Sequence, residues 1–325
     1  MNKVLVLGGT GFLGYYTTLE LLKKGYEVKS VALPPMPDEA LFAGLEVENI
    51  LADINALSDE KVRELLADVD GVMYAIGADE RTIPKAPAYD FFYQANVLPT
   101  QRLARLARES GVKKFIVYGS YTAEFAERFT DIDLKSQPYP QTRLLQETVA
   151  FEEGQGKMDV MVLRLPYIFG VMPGRMPLWK MFTDLIKNQK TYPALVGGTA
   201  MITVEQVAQA AVGAMEQGQH GKSYAIASYN MKYKDFYEMI VAALKQEDMT
   251  QIIPVTYAQV KDQYEAIDQQ AKAAGVEHGI HMTVSGQMNE RDLYIDPNDT
   301  MDLLKIENQD VLASIEKTLA VCVKG

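Results

Sequence analysis

The stretch Lys3-Val4-Leu5-Val6-Leu7-Gly8-Gly9-Thr10-Gly11-Phe12-Leu13-Gly14 constrains the fold of this chain more than any other. A short apolar run reads as a buried strand. It enters a glycine-rich turn, and helical periodicity follows the turn. Gly8, Gly11 and Gly14 recur at three-residue spacing. Glycine at such positions lets the chain turn sharply, lets the backbone approach a pyrophosphate, and lets the new helix pack on the sheet. The helix N-terminus would then offer free N–H groups and its positive dipole end to phosphates. The bland alternative is a purely structural tight turn.

Strand and helix patterns alternate onward from there. Strands are expected over 4–7, 28–33, 47–52, 71–76, 114–118 and 160–165, with helices over 12–24, 59–66, 95–110 and 139–153. This alternation demands a parallel sheet covered on both faces, a doubly wound α/β fold. Beyond Gly170 it loosens, and Pro173, Pro177 and Pro193 interrupt it. The expected division is a dinucleotide-binding Rossmann domain over 1–168 and a smaller α+β substrate lobe over 169–325, with some elements returning to the first domain. The acidic pairs Asp38-Glu39 and Asp59-Glu60 read as solvated helix starts, where negative charge suits the dipole.

Composition narrows the class. With 325 residues and 48% hydrophobic content the chain has ample material for a large core. No apolar run reaches the ~18 residues that a membrane span requires. One cysteine, Cys322, excludes an intramolecular disulfide and suits a reducing cytoplasm. A net charge of −11 argues against nucleic-acid binding, which needs clustered Lys and Arg. His278 and His281 lack the carboxylate or cysteine pattern of a metal site and read as a loop, so no metal is expected.

The sequence resembles the extended, in places atypical, short-chain dehydrogenases/reductases, the family of NAD-dependent epimerases and dehydratases. Gly8 to Gly14 matches the family's nucleotide loop. Asp53-Ile54 matches the pair that contacts the adenine. Asn96-Val97 with Thr100 matches a conserved helix start, although Pro99 stands in place of glycine. Residues 111–120, Gly-Val-Lys-Lys-Phe-Ile-Val-Tyr-Gly-Ser, match the strand that delivers a catalytic serine. Residues 163–170 and 204–208 resemble the segments that open and frame the substrate lobe. The resemblance implies cofactor-binding roles for Gly8, Thr10, Gly11, Phe12, Leu13, Gly14, Asp53, Ile54, Asn96 and Pro166. It implies hydride transfer at a carbinol or carbonyl carbon of a small molecule, with NAD or NADP as cofactor, and a homodimer built on the helices carrying Leu103, Leu106, Leu144 and Leu145.

Chemistry in this family rests on a tyrosine four residues before a lysine, one helical turn apart on the same face. Here Pro138-Tyr139-Pro140-Gln141-Thr142-Arg143 supplies Tyr139 as the acid/base, with Ser120 as ligand of the reacting oxygen and Arg143 at the lysine position. Arginine keeps the charge that stabilises a phenolate but is not a geometric equivalent of lysine. Arg143 is therefore either an altered partner of Tyr139, or the mark of a catalytically impaired nucleotide-dependent sensor. Residues 30–35, Ser-Val-Ala-Leu-Pro-Pro, carry neither the acidic marker of NAD nor the basic marker of NADP; the missing cation leans toward NAD. No cation stands in 197–203, where the family places an arginine for nucleotide-sugar diphosphates, which leaves Arg175 as candidate anion binder or plain surface residue. Met172, Met176, Trp179, Met181 and Phe182 read as core or dimer packing, or as an apolar pocket.

Overall fold

The computed structural model describes residues 2–324. Seven strands form one parallel sheet: β1 (Lys3–Leu7), β2 (Glu27–Ala32), β3 (Val47–Leu51), β4 (Gly71–Tyr74), β5 (Lys114–Ser120), β6 (Asp159–Leu165) and a last strand at Lys222–Ala225, in the order β3-β2-β1-β4-β5-β6 and then the last strand. The direction of winding reverses between β1 and β4. That switch point is where open α/β sheets bind ligands, outside the carboxyl ends of the strands.

Helices cover both faces. On one lies α1 (Phe12–Lys23), on the other α2 (Asp59–Leu66). Ser58 caps α2 by accepting from Lys61 N–H, as the acidic start predicts. Asp38-Glu39 begins no helix; residues 38–45 form successive turns after the Pro34-Pro35 break. The helix expected from residue 95 starts earlier. α3 (Ala88–Phe92) runs through a wide π turn at Tyr93–Val97 into α4 (Leu98–Glu109). Pro99 explains the wide turn: proline lacks an N–H and crowds the carbonyl four residues back, and the π turn opens the ladder just ahead of it. After β5 come α5 (Tyr121–Arg128) and α6 (Pro138–Gly154), which packs beside α4.

Past β6 the chain leaves the sheet as β7 (Tyr167–Phe169), α7 (Lys180–Ile186), β8 (Thr191–Leu195) and β9 (Gly198–Thr203). It then returns. α8 (Val204–Gln217) packs against α1, and β10 (Lys222–Ala225) pairs with β6 as the seventh strand. The second lobe resumes with β11 (Tyr229–Lys232), α9 (Tyr233–Ala243), β12 (Gln251–Val255), α10 (Tyr257–Ala273), α11 (Met282–Asn289), β13 (Asp292–Leu293) and α12 (Val311–Cys322). Its core is aromatic, built around Phe169, Trp179 and Phe236, with Cys322 packed at its edge.

Leu103 and Leu106 are buried in the chain's own core beneath the sheet, so they carry no argument for association between copies; Leu144 and Leu145 are half-buried on α6. No helix among the described residues is long and apolar enough to cross a membrane.

Candidate active site

A cavity of about 480 Å³ opens at the switch point. Its walls come from the ends of four strands, from α6 and from the second lobe: Gly11, Phe12 and Leu13 after β1; Ala75 to Gly77 after β4; Gly119 and Ser120 at the end of β5; Leu165 and Pro166 at the end of β6; Tyr139 and Arg143 on α6; Tyr167 and Trp179 in the second lobe.

Gly11 is the N-cap of α1, with extended backbone (φ −82°, ψ 168°), no capping side chain and no acidic residue in the first helical turn. The helix therefore presents unmatched N–H donors and its positive end to the cavity. Gly14 shows why the loop needs glycine: a Cβ there would stand 2.2 Å from the Gly8 carbonyl oxygen. Thr10 and Gly14 are buried under this turn. The cradle fits a pyrophosphate, the anionic centre of a dinucleotide.

Asp53, Ile54 and Asn96, also expected at the cofactor, do not line this cavity. Asp53 is exposed beyond β3, where its carboxylate accepts from Asn55 N–H (3.0 Å). The Ile54 side chain sits in the core. Asn96, fully buried in the π turn, clasps the loop after β4: its Oδ1 accepts from Ala78 N–H (2.8 Å) and its Nδ2 donates to the Ala78 carbonyl (3.0 Å). Asn96 thus shapes the cavity wall from behind.

Tyr139 and Arg143 meet as the one-turn spacing requires. Arg143 Nε donates to the Tyr139 hydroxyl (2.9 Å), Nη1 to Gln146 Oε1 (2.8 Å) and Nη2 to the Ala78 carbonyl (3.1 Å). Gln146 donates on to Thr100 Oγ1 (2.8 Å), and Thr100 to the Asn96 carbonyl (2.7 Å). Arg143 lowers the phenol pKa as expected, and the Ser120 hydroxyl acts in the same direction. Burial outweighs both, and Glu80 adds to it, so the Tyr139 phenol is pushed up to about 12. Desolvation of a buried phenolate thus exceeds the attraction of one guanidinium. Ser120 caps α5 by accepting from Thr122 N–H (3.2 Å) and shares a hydrogen bond with Thr122 Oγ1 (2.9 Å).

Other contacts were not legible in the sequence. The Gly279 carbonyl accepts from Tyr139 N–H (2.8 Å), and Gln137 Oε1 accepts from His281 N–H (2.9 Å). The His278–His281 segment thereby clamps the start of α6, and the Phe92 ring meets Tyr139 edge-to-face at 5.2 Å. The only sequence signal was a glycine between two histidines. His281 pairs with Glu277 (2.9 Å), and no group of three metal-ligating side chains occurs among the described residues. Glu147 on α6 accepts two bonds from Arg164 on β6 (2.9 and 2.7 Å), and Arg164 also reaches Glu124 and Glu127.

The model of the NAD-dependent epimerase/dehydratase family matches residues 4–227. The chain belongs to that family. Among its curated relatives is the dTDP-6-deoxy-L-talose 4-dehydrogenase (NAD(P)(+)) of Kitasatospora kifunensis, 29% identical over 198 residues, covering 56% of this chain and 58% of that one. Another is the 3-beta-hydroxysteroid dehydrogenase of Mycolicibacterium neoaurum, 25% identical over 188 residues, covering 52% and 48%. The matches thus span about half the length of these relatives. A solved structure of UDP-glucuronic acid 4-epimerase from Bacillus cereus, in complex with UDP-glucuronic acid and NAD, superposes with a TM-score of 0.72 at 16% identity, covering 99% of each chain. That likeness establishes a shared fold. The family assignment and the seven-stranded parallel sheet agree with the doubly wound dinucleotide fold expected from the glycine loop.

Proposed function

We propose that this chain is an NAD-dependent oxidoreductase or epimerase in which Tyr139 moves a proton at the oxygen of a carbinol or carbonyl substrate. The observation that carries the proposal is the meeting, in one cavity, of an uncapped glycine-rich helix start with Ser120, Tyr139 and Arg143. Gly11, Phe12, Leu13 and Pro166 would hold the cofactor, which supplies or accepts hydride when bound. Tyr139, a neutral phenol at ordinary pH, is poised to donate its proton to a carbonyl oxygen and to take one back from an alcohol. Ser120 orients that oxygen. Arg143 holds the hydroxyl in place and favours the anion left after proton transfer.

A second reading has an observation of its own. Each nitrogen of Arg143 already donates to the protein, which leaves the guanidinium poorly placed to hold a ribose as an ammonium would. This favours a dinucleotide-binding sensor that has lost turnover. NADH oxidation with a panel of aldehydes and ketones separates the two. The enzyme reading expects turnover that Tyr139→Phe lowers by roughly a hundredfold or more, the scale for losing a general acid/base, with NADH binding kept. Binding without turnover on any carbonyl supports the sensor.

A further inference from the structure

We infer that this cavity, on its second-lobe side, takes an apolar ketone or secondary alcohol in place of a nucleotide-linked sugar. The inference rests on the oxidoreductase reading and names its substrate class. Met172, Met176, Leu178, Trp179, Met181 and Phe182 line the cavity from the second lobe. Part of this cluster is ordinary core: Trp179 stacks on Phe169 at 4.5 Å and is buried, as is Met172. Met176 and Met181 are not, with 47% and 42% of their surface open to solvent. Large, adaptable apolar side chains left wet inside a concave site gain when an apolar ligand covers them.

The charges point the same way. A diphosphate is held by several charge-assisted donors. Three arginines line the cavity. Arg143 is committed to Tyr139, Gln146 and Ala78, and Arg81 is paired with Asp79. Arg175 alone is uncommitted among the described residues, exposed on a turn at the mouth. Glu80 also lines the cavity, where its carboxylate would face a polyanion.

Trp179 is the only tryptophan of the chain, so its fluorescence reports on this wall whether or not the cofactor binds. The test titrates the full chain, with and without saturating NADH, against 2-butanone, 2-hexanone, 2-octanone and 2-decanone, and against UDP-glucose. Each methylene that reaches the wall should tighten binding about fourfold, the equivalent of burying one CH₂. UDP-glucose should bind more weakly than 2-octanone. Met181→Glu, a change at an exposed position, should flatten the series at least tenfold for 2-octanone while NADH binding stays as it was. A flat series in the parent protein, or UDP-glucose binding more tightly than 2-octanone, overturns the proposal. Failure of NADH to bind beside an intact alkanone series would instead sink the oxidoreductase reading and leave the apolar site standing.

Discussion

Arg143 Nε donates to the Tyr139 hydroxyl at 2.9 Å, inside a chain of buried hydrogen bonds running through Gln146 and Thr100 to Asn96. Arg143 is therefore built in by its surroundings. A lysine could serve one of its acceptors but not three, and a buried unsatisfied acceptor costs about 1–3 kcal/mol. Arg143→Lys should lose stability on that scale, measured by urea denaturation. Arg143→Met removes the cation, so the pH at half-maximal alcohol oxidation should rise. An unchanged pH profile in Arg143→Met would show that the guanidinium does not act on the phenol.

Glu147 and Arg164 form a buried, doubly bonded pair, and Ser223 donates a further hydrogen bond to Glu147 (2.7 Å). Removing one partner of such a pair strands the other charge. Glu147→Leu should cost about 3 kcal/mol, the low end for a broken buried pair because Glu124 and Glu127 still face Arg164. Glu127→Gln, at the exposed end of the network, should cost at most about 1 kcal/mol. Equal losses in the two variants would contradict this ranking.

Gly279 touches α6 at Tyr139 from the second lobe. A Cβ there would lie 2.7 Å from Phe92 Cε2 and 2.9 Å from Tyr139 Cβ. Gly279→Ala should destabilise by about 1–3 kcal/mol, as overpacking does, and should lower turnover by displacing Tyr139 while NADH affinity holds. Full activity in Gly279→Ala would mean that the clamp leaves Tyr139 unaffected.

Burial holds the phenols of Tyr74 and Tyr139 up at about 12, whereas unfolded tyrosine ionises near 10. The folded state therefore keeps protons that the unfolded state releases. The stability tied to them is complete below pH ~10 and is lost as pH climbs through about 12. Denaturation midpoints should fall over that window, and a midpoint constant across it would speak against these phenols being desolvated.

Much of the fold was legible because periodicity and glycine placement are local. Strand β1 and helix α2 lie where the pattern put them. The π turn was hidden because Pro99 reads the same at a helix start and inside an opened helix. Asp53 and Asn96 show the limit at the site: a family motif gives residue types, but not that both ends of the Asn96 amide bind Ala78 or that Asp53 accepts from Asn55 N–H. The Gly279 clamp joins residues 140 positions apart in sequence, beyond any spacing rule. The phenol pKa depended on burial, which a sequence does not state.

Gly11→Asp tests the dinucleotide site most directly. Gly11 already has the extended backbone of an N-cap, where aspartate is among the preferred residues. An added Cβ would meet only the Gly8 carbonyl, at 3.0 Å. The carboxylate should cap α1, keep the fold, and occupy the donors that a pyrophosphate would use. NADH titration by fluorescence should show micromolar binding in the parent chain and none below millimolar in Gly11→Asp, with the unfolding midpoint equal or higher. Undiminished NADH binding in a folded Gly11→Asp, or no binding in the parent chain, would contradict the assignment of this cavity to NAD.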